Sequence, residues 1–203
     1  MRTFLISFLA LLLFTSVMVL GQNDPRFPDG FEKPESHRIT LNAENTSFTV
    51  PEGQNFYITR MTSVPPTLMS SSAVLTVNEV AIMVFNRGSE LCGASSDQHF
   101  VTPIILKGGD KIELSGKSEL FVQAFTVPAN VQPMMLKADQ EFELPEGKTF
   151  VLMHTVRESG CDIAYKGKFS FTKIDPLHFP EFFSTEEQLS KIDESVIRIG
   201  YLY

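Results

Sequence analysis

Four histidines, two cysteines and one serine-rich loop are the parts of this 203-residue chain whose residue types suit chemistry. The histidines, His37, His99, His154 and His178, stand apart, and no His-x-His pair occurs. A metal site needs three or four donors converging on one point, and local spacing supplies none here. His154 closes the run Phe150-Val151-Leu152-Met153, as Arg60 closes Phe56-Tyr57-Ile58-Thr59. In the mouth of a barrel, His154 would act as general base or metal ligand. With no second histidine or carboxylate beside it, it reads as a surface or edge histidine at a strand end. The loop Asn86–Phe100, "NRGSELCGASSDQHF", brings Ser95, Ser96, Asp97 and His99 close in sequence. It has no G-x-S-x-G elbow, so it reads as a solvated loop pinned by Cys92 rather than as a hydrolase site. The stretch "DPLHFPEFFST" sets Phe179, Phe182 and Phe183 in a proline-bracketed loop. Such rings either plug the open end of a domain or form an apolar patch for a partner or an oligomer.

The amino-terminal stretch "MRTFLISFLALLLFTSVMVLGQ" has one arginine, an apolar run from Phe4 to Phe14 and small residues ending at Gly21. That is the pattern of a secretory signal peptide over residues 1–21, and it places the chain as secreted or periplasmic. Export makes a Cys92–Cys161 disulfide possible, joining the two halves; two separate thiols are the other reading. A net charge of −7 argues against nucleic acid and anionic membrane as partners. No P-loop, EF-hand loop or dinucleotide glycine motif is present, and no cofactor is expected. The chain has no tryptophan and only four tyrosines, which disfavours stacking on sugar rings. Asn45-Thr46-Ser47 is a formal acceptor for N-glycosylation if the source is eukaryotic.

What must position these residues is a repeated phrase. "VPEGQNFYITRM" from Val50 returns as "LPEGKTFVLMHT" from Leu144. Pro51, Glu52, Gly53 and Phe56 recur as Pro145, Glu146, Gly147 and Phe150, with Phe48 and Phe142 upstream. Each copy reads as strand, tight turn, strand: proline pre-sets φ and glycine accepts a positive φ after it. "AVLTVNEVAIMVF" and "VTPIILKGGDKIEL" read as further hairpins, and "ELFVQAFTV" as a strand buried on both sides. "SELFVQAFTV" and "ESVIRIGYLY" close the two halves alike. The pattern indicates a tandem duplication of about 90 residues. The one helical signal is "STEEQLSKIDES", with Ser184 and Glu187 as a capping box. Residues 22–38, rich in proline and charge, read as a flexible lead-in.

Strands joined by "VPEG" and "ILKGGDKI" turns resemble those of jelly-roll modules, including cupins. The resemblance implies the sandwich architecture. It implies no metal, because the His-x-His with its downstream Glu and His is missing.

The sequence therefore leads us to expect an all-β protein of tandem jelly-roll-like β-sandwich domains, with at most one short helix near the C-terminus. The first domain would span 39–128 and the second 129–203. The expected function is a non-catalytic binding or structural module for an extracellular protein or glycan. Two alternatives stand beside it: a cupin-like isomerase or lyase with its site in one barrel, and a secreted oligomeric jelly-roll ligand or adhesin. Candidate surface residues are Arg60, His99, His154, Phe179, Phe182 and Phe183.

Overall fold

A computed structural model describes residues 24–31, 33–64, 72–86, 97–116, 118–137, 140, 142–157, 173–185 and 195–203. Among these residues there is no helix. Twelve strands form three antiparallel four-stranded sheets. The strands are β1 (Glu35–Leu41), β2 (Ser47–Thr49), β3 (Gln54–Val64), β4 (Ser72–Val77), β5 (Val80–Asn86), β6 (Asp97–Lys107), β7 (Lys111–Gly116), β8 (Glu119–Pro128), β9 (Gln132–Lys137), β10 (Phe150–Arg157), β11 (Lys173–Phe183) and β12 (Ser195–Leu202). The first sheet runs β1-β8-β3-β6, the second β2-β7-β4-β5 and the third β9-β12-β10-β11. The Ser184–Glu187 helix signal falls mostly outside the described residues.

The turns follow from local chemistry. β2 passes to β3 through Pro51-Glu52-Gly53, where Gly53 has φ of 74°. β4 and β5 meet at Asn78-Glu79, with φ of 48° and 66°, the two-residue turn whose twist matches paired strands. Asp110, buried beside it, accepts from Asn78 Nδ2 at 2.8 Å and from the Lys107 amide at 2.9 Å. The Gly108-Gly109 corner presses on the Pro51-Glu52 corner. A Cβ on Gly108 would stand 2.9 Å from the Pro51 carbonyl oxygen, so a side chain there forces one turn off the other.

Between the first two sheets lies the main core, with Phe56, Ile58 and Met61 of β3 and Leu120 and Val122 of β8 facing Leu75, Ile82 and Ile112. Each such side chain contributes about 1.5–3 kcal/mol by leaving water. β8 is not buried on both sides. It alternates, with Leu120, Val122 and Ala124 inward and Phe121 and Gln123 exposed. The reason is that part of the outer face of the first sheet is uncovered.

The third sheet, built from the second half, has the strand order of the first. Aligned by the repeated phrase, β1, β8, β3 and β6 correspond to β9, β12, β10 and β11. The irregularities correspond as well. β3 steps from Ile58 to Arg60 while β6 steps from Ile104 to His99. β10 steps from Leu152 to His154 while β11 steps from Glu181 to Pro176. On their other sides β8 and β12 advance one residue, from Ala124 to Gln123 and from Gly200 to Ile199. Each phrase closes on a phenylalanine pair: Phe48 and Phe56 at 5.2 Å, Phe142 and Phe150 at 6.3 Å. "DPLHFPEFF" of that stretch belongs to strand β11 rather than to a loop. Its prolines are tolerated because β11 is an edge strand with a bulge, where missing ladder donors cost little.

The third sheet packs against the first half along β6. Val151, Met153 and Tyr201 join Tyr57, Ile105 and Val127 in one apolar cluster, and Val156, Ile197 and Ile199 extend the main core. A strap of residues 24–31 crosses this seam. Phe27 stacks on Tyr57 at 6.0 Å, and Tyr201 Oη donates to the Pro25 carbonyl at 2.8 Å. Asp29 is buried and accepts from Tyr57 Oη at 2.5 Å, Asn55 Nδ2 at 2.8 Å, and the Asn130 and Val131 amides at 2.5 and 2.9 Å. Those amides belong to the linker between the halves. Burial first, and the Asp29 carboxylate second, push the Tyr57 hydroxyl far above the usual tyrosine range, which keeps it a donor. This part of the stretch read as a flexible lead-in is thus hydrogen-bonded to both halves.

Candidate functional site

The outer face of the first sheet carries the exposed chemistry. Side chains that face each other across its strands form rows. Arg38, Gln123, Arg60 and His99 make one row, and Thr40, Phe121, Thr62 and Asp97 make the next. Two of the sequence candidates, Arg60 and His99, are therefore direct cross-strand neighbours. Asp97 and His99 belong to β6 and not to the loop before it.

Arg60 grips Asp97 with two hydrogen bonds, Nε to Oδ1 at 2.8 Å and Nη2 to Oδ2 at 2.6 Å. Thr62 Oγ1 adds a third at 3.0 Å. The Arg60 guanidinium holds the Asp97 carboxyl down at about 2. His99 Nε2 stands 3.7 Å from Asp97 Oδ2, beyond hydrogen-bond length. Both carboxylate oxygens are engaged and the carboxyl is held ionised by Arg60, which makes Asp97 a weak general base. This exposed pair fixes two side chains in register more than it stabilises the fold. Around it lie apolar side chains open to water: Val64 at 45 %, Val101 at 60 % and Phe121 at 39 % exposure. The surface is an apolar patch with charges held in fixed positions, an arrangement suited to recognition.

His154 is elsewhere. It is fully buried in β10 at the seam, not at a surface or strand end. Its Nε2 lies 3.0 Å from the Pro103 carbonyl, which can only accept, so Nε2 carries the proton. Phe100 meets the ring edge-on at 5.9 Å, and Nδ1 has no hydrogen-bond partner among the described residues. Burial lowers its pKa to about 4. Sequence placed it at a strand end because nothing local shows that a second sheet covers it.

Phe182 is exposed and Phe183 half-buried against Leu136, Phe150 and Leu152. Phe179 and His178 lie in β11, and their side chains fall outside the described residues, as do Cys92 and Cys161 with their possible disulfide. Among the described residues no group of three His, Cys, Asp or Glu could hold a metal ion. No helix among them is long and apolar enough to cross a membrane.

Sequence reasoning passed over Arg38, Phe121, Asp29 and Tyr57. The alternation Glu119, Phe121, Gln123 against Leu120, Val122, Ala124 was the available signal for an open face. Phe27 and Phe31 within a polar stretch were the signal for a docked strap. No protein-family model matches the chain, and no curated protein matches it.

Proposed function

We propose that this protein is a non-catalytic extracellular binding module, exported by its amino-terminal leader and made of a duplicated jelly-roll unit. The strand orders β1-β8-β3-β6 and β2-β7-β4-β5 agree with two interleaved Greek keys. The matched bulges of β3 and β10 support the duplication. One observation carries the binding role: Val64, Val101 and Phe121 remain open on a face of which the second half covers only part. Soluble proteins seldom leave such a patch without a partner. The partner is a protein surface. Phe121 and Val64 lie on one side of the row Arg38, Gln123, Arg60 and His99 and Val101 on the other, so apolar and charged side chains are interleaved, and the chain lacks the tryptophans that sugar rings prefer.

Replacing Phe121 by Asp should release the secreted protein from the surface or matrix of the cells that make it. Comparing bound and washed fractions should show at least a roughly tenfold loss of retention, the size expected for one interface anchor. Unchanged retention, with the melting temperature preserved, would remove this face from the function. Loss of retention on glycan-stripped cells with the wild-type protein would assign the partner to sugars instead.

A further inference from the structure

We infer that Asn45 is an N-glycosylation site and that its glycan guards the β1–β2 side of the first sandwich, whose edge strands have no further strand beside them among the described residues. This rests on the proposed export of the chain and on a eukaryotic source for it. Asn45-Thr46-Ser47 is the sole acceptor triplet in the sequence. Asn45 and Thr46 are exposed, in the connection between β1 and β2. The connection is shaped by Asn42, whose Oδ1 accepts from the Glu44 and Asn45 amides at 3.0 and 2.9 Å, while its own amide donates to the Asn45 carbonyl at 2.8 Å. The turn therefore presents Asn45 at a tip.

The chemistry fits the geometry. Asn45 Nδ2 attacks C1 of the first sugar of a lipid-pyrophosphate-linked oligosaccharide. The N–C bond forms, the C1–O bond breaks, the lipid pyrophosphate leaves and Nδ2 loses one proton. One N–H remains, and one is enough for the bond that Nδ2 makes to the Thr40 carbonyl at 3.0 Å.

The position has a physical use. Each sheet of the sandwich has two edges. The β6 and β5 edges are packed against by the third sheet. The β1 and β2 edges have no further strand beside them among the described residues. Unpaired edges template association with other chains. Asn45 lies on the connection between those two open edge strands, so one glycan screens both.

The test is expression in a eukaryotic secretory cell, once with residues 1–21 and once with a strong unrelated leader in their place. In the second arm the chain enters the lumen whatever its own leader does. The expected result there is a single mass increment removed by peptide-N-glycosidase, with Asn45 converted to Asp, and absent from Asn45→Gln and Ser47→Ala. The unglycosylated variants should form concentration-dependent oligomers at several-fold lower concentration. A wild-type chain secreted from that arm without the increment would overturn the inference, as would equal association of glycosylated and variant forms. Failure of the first arm alone would count against export.

Discussion

Asp29→Ala should cost about 3–5 kcal/mol of stability, more than any other single change on the strap. The side chain takes four hydrogen bonds from two elements, two from β3 and two from backbone amides of the Asn130–Val131 linker. Removing the carboxylate leaves the Tyr57 hydroxyl buried without an acceptor and strips two half-buried amides of theirs. Each orphaned donor costs about 1–3 kcal/mol, partly recovered where water enters. Asn55 suffers less, because its Nδ2 also donates to the Val131 carbonyl at 3.0 Å. Asp29→Asn keeps the volume and one acceptor and should fall between. Denaturant unfolding gives the free energies, and trypsin gives the mechanism: Arg26 should be cut early in Asp29→Ala and late in the wild type. A loss below about 1 kcal/mol, with Arg26 still protected, would show that the strap is held by Phe27 and the Tyr201–Pro25 hydrogen bond rather than by Asp29.

The second large effect is on pH dependence, and it belongs to His154. Its pKa in the folded protein is lowered from 6.5 to about 4, by burial. The unfolded chain therefore takes up a proton below about 6.5, while the folded protein resists until about 4. Stability from this residue is complete above about pH 6.5 and falls as pH drops, levelling off below about pH 4. The full loss is about 3 kcal/mol, from the pKa difference at 1.36 kcal/mol per unit. No ion pair reaches the ring among the described residues; its surroundings are Phe100 and the Thr102–Pro103 backbone. His154→Gln keeps a donor for Pro103 and has nothing to titrate. Between pH 6.5 and 4 its stability should fall less steeply than the wild type, by up to that amount. Parallel profiles would mean that water reaches the ring in the folded state.

The turns were legible in the sequence because their chemistry is local. Pro51-Glu52-Gly53, Asn78-Glu79 and Gly108-Gly109-Asp110 each set their own φ values, and the strands between them follow. The all-β class was legible for the same reason. The candidate site was half legible. Arg60 and His99 were singled out separately, but their pairing depends on the register of β3 against β6, which a bulge shifts. The exposure of Phe121 depends on how far the third sheet reaches across the first. The burial of His154 depends on that same packing, and so does the docking of Asp29. These are contacts between elements distant in sequence, and no residue near His154 or Asp29 announces its partner.

The central claim is that the part of the outer sheet face left open by the second half is where a partner protein binds. The most direct measurement places a benzophenone side chain at position 121 in one protein and at position 111, on the other sheet of the sandwich, in a second. Both are irradiated in the extracellular medium of the producing cells. The account predicts a discrete protein adduct from position 121 that Arg60→Ala and Val64→Asp abolish, and none from position 111. The same adducts from both positions, or none from position 121, would contradict it.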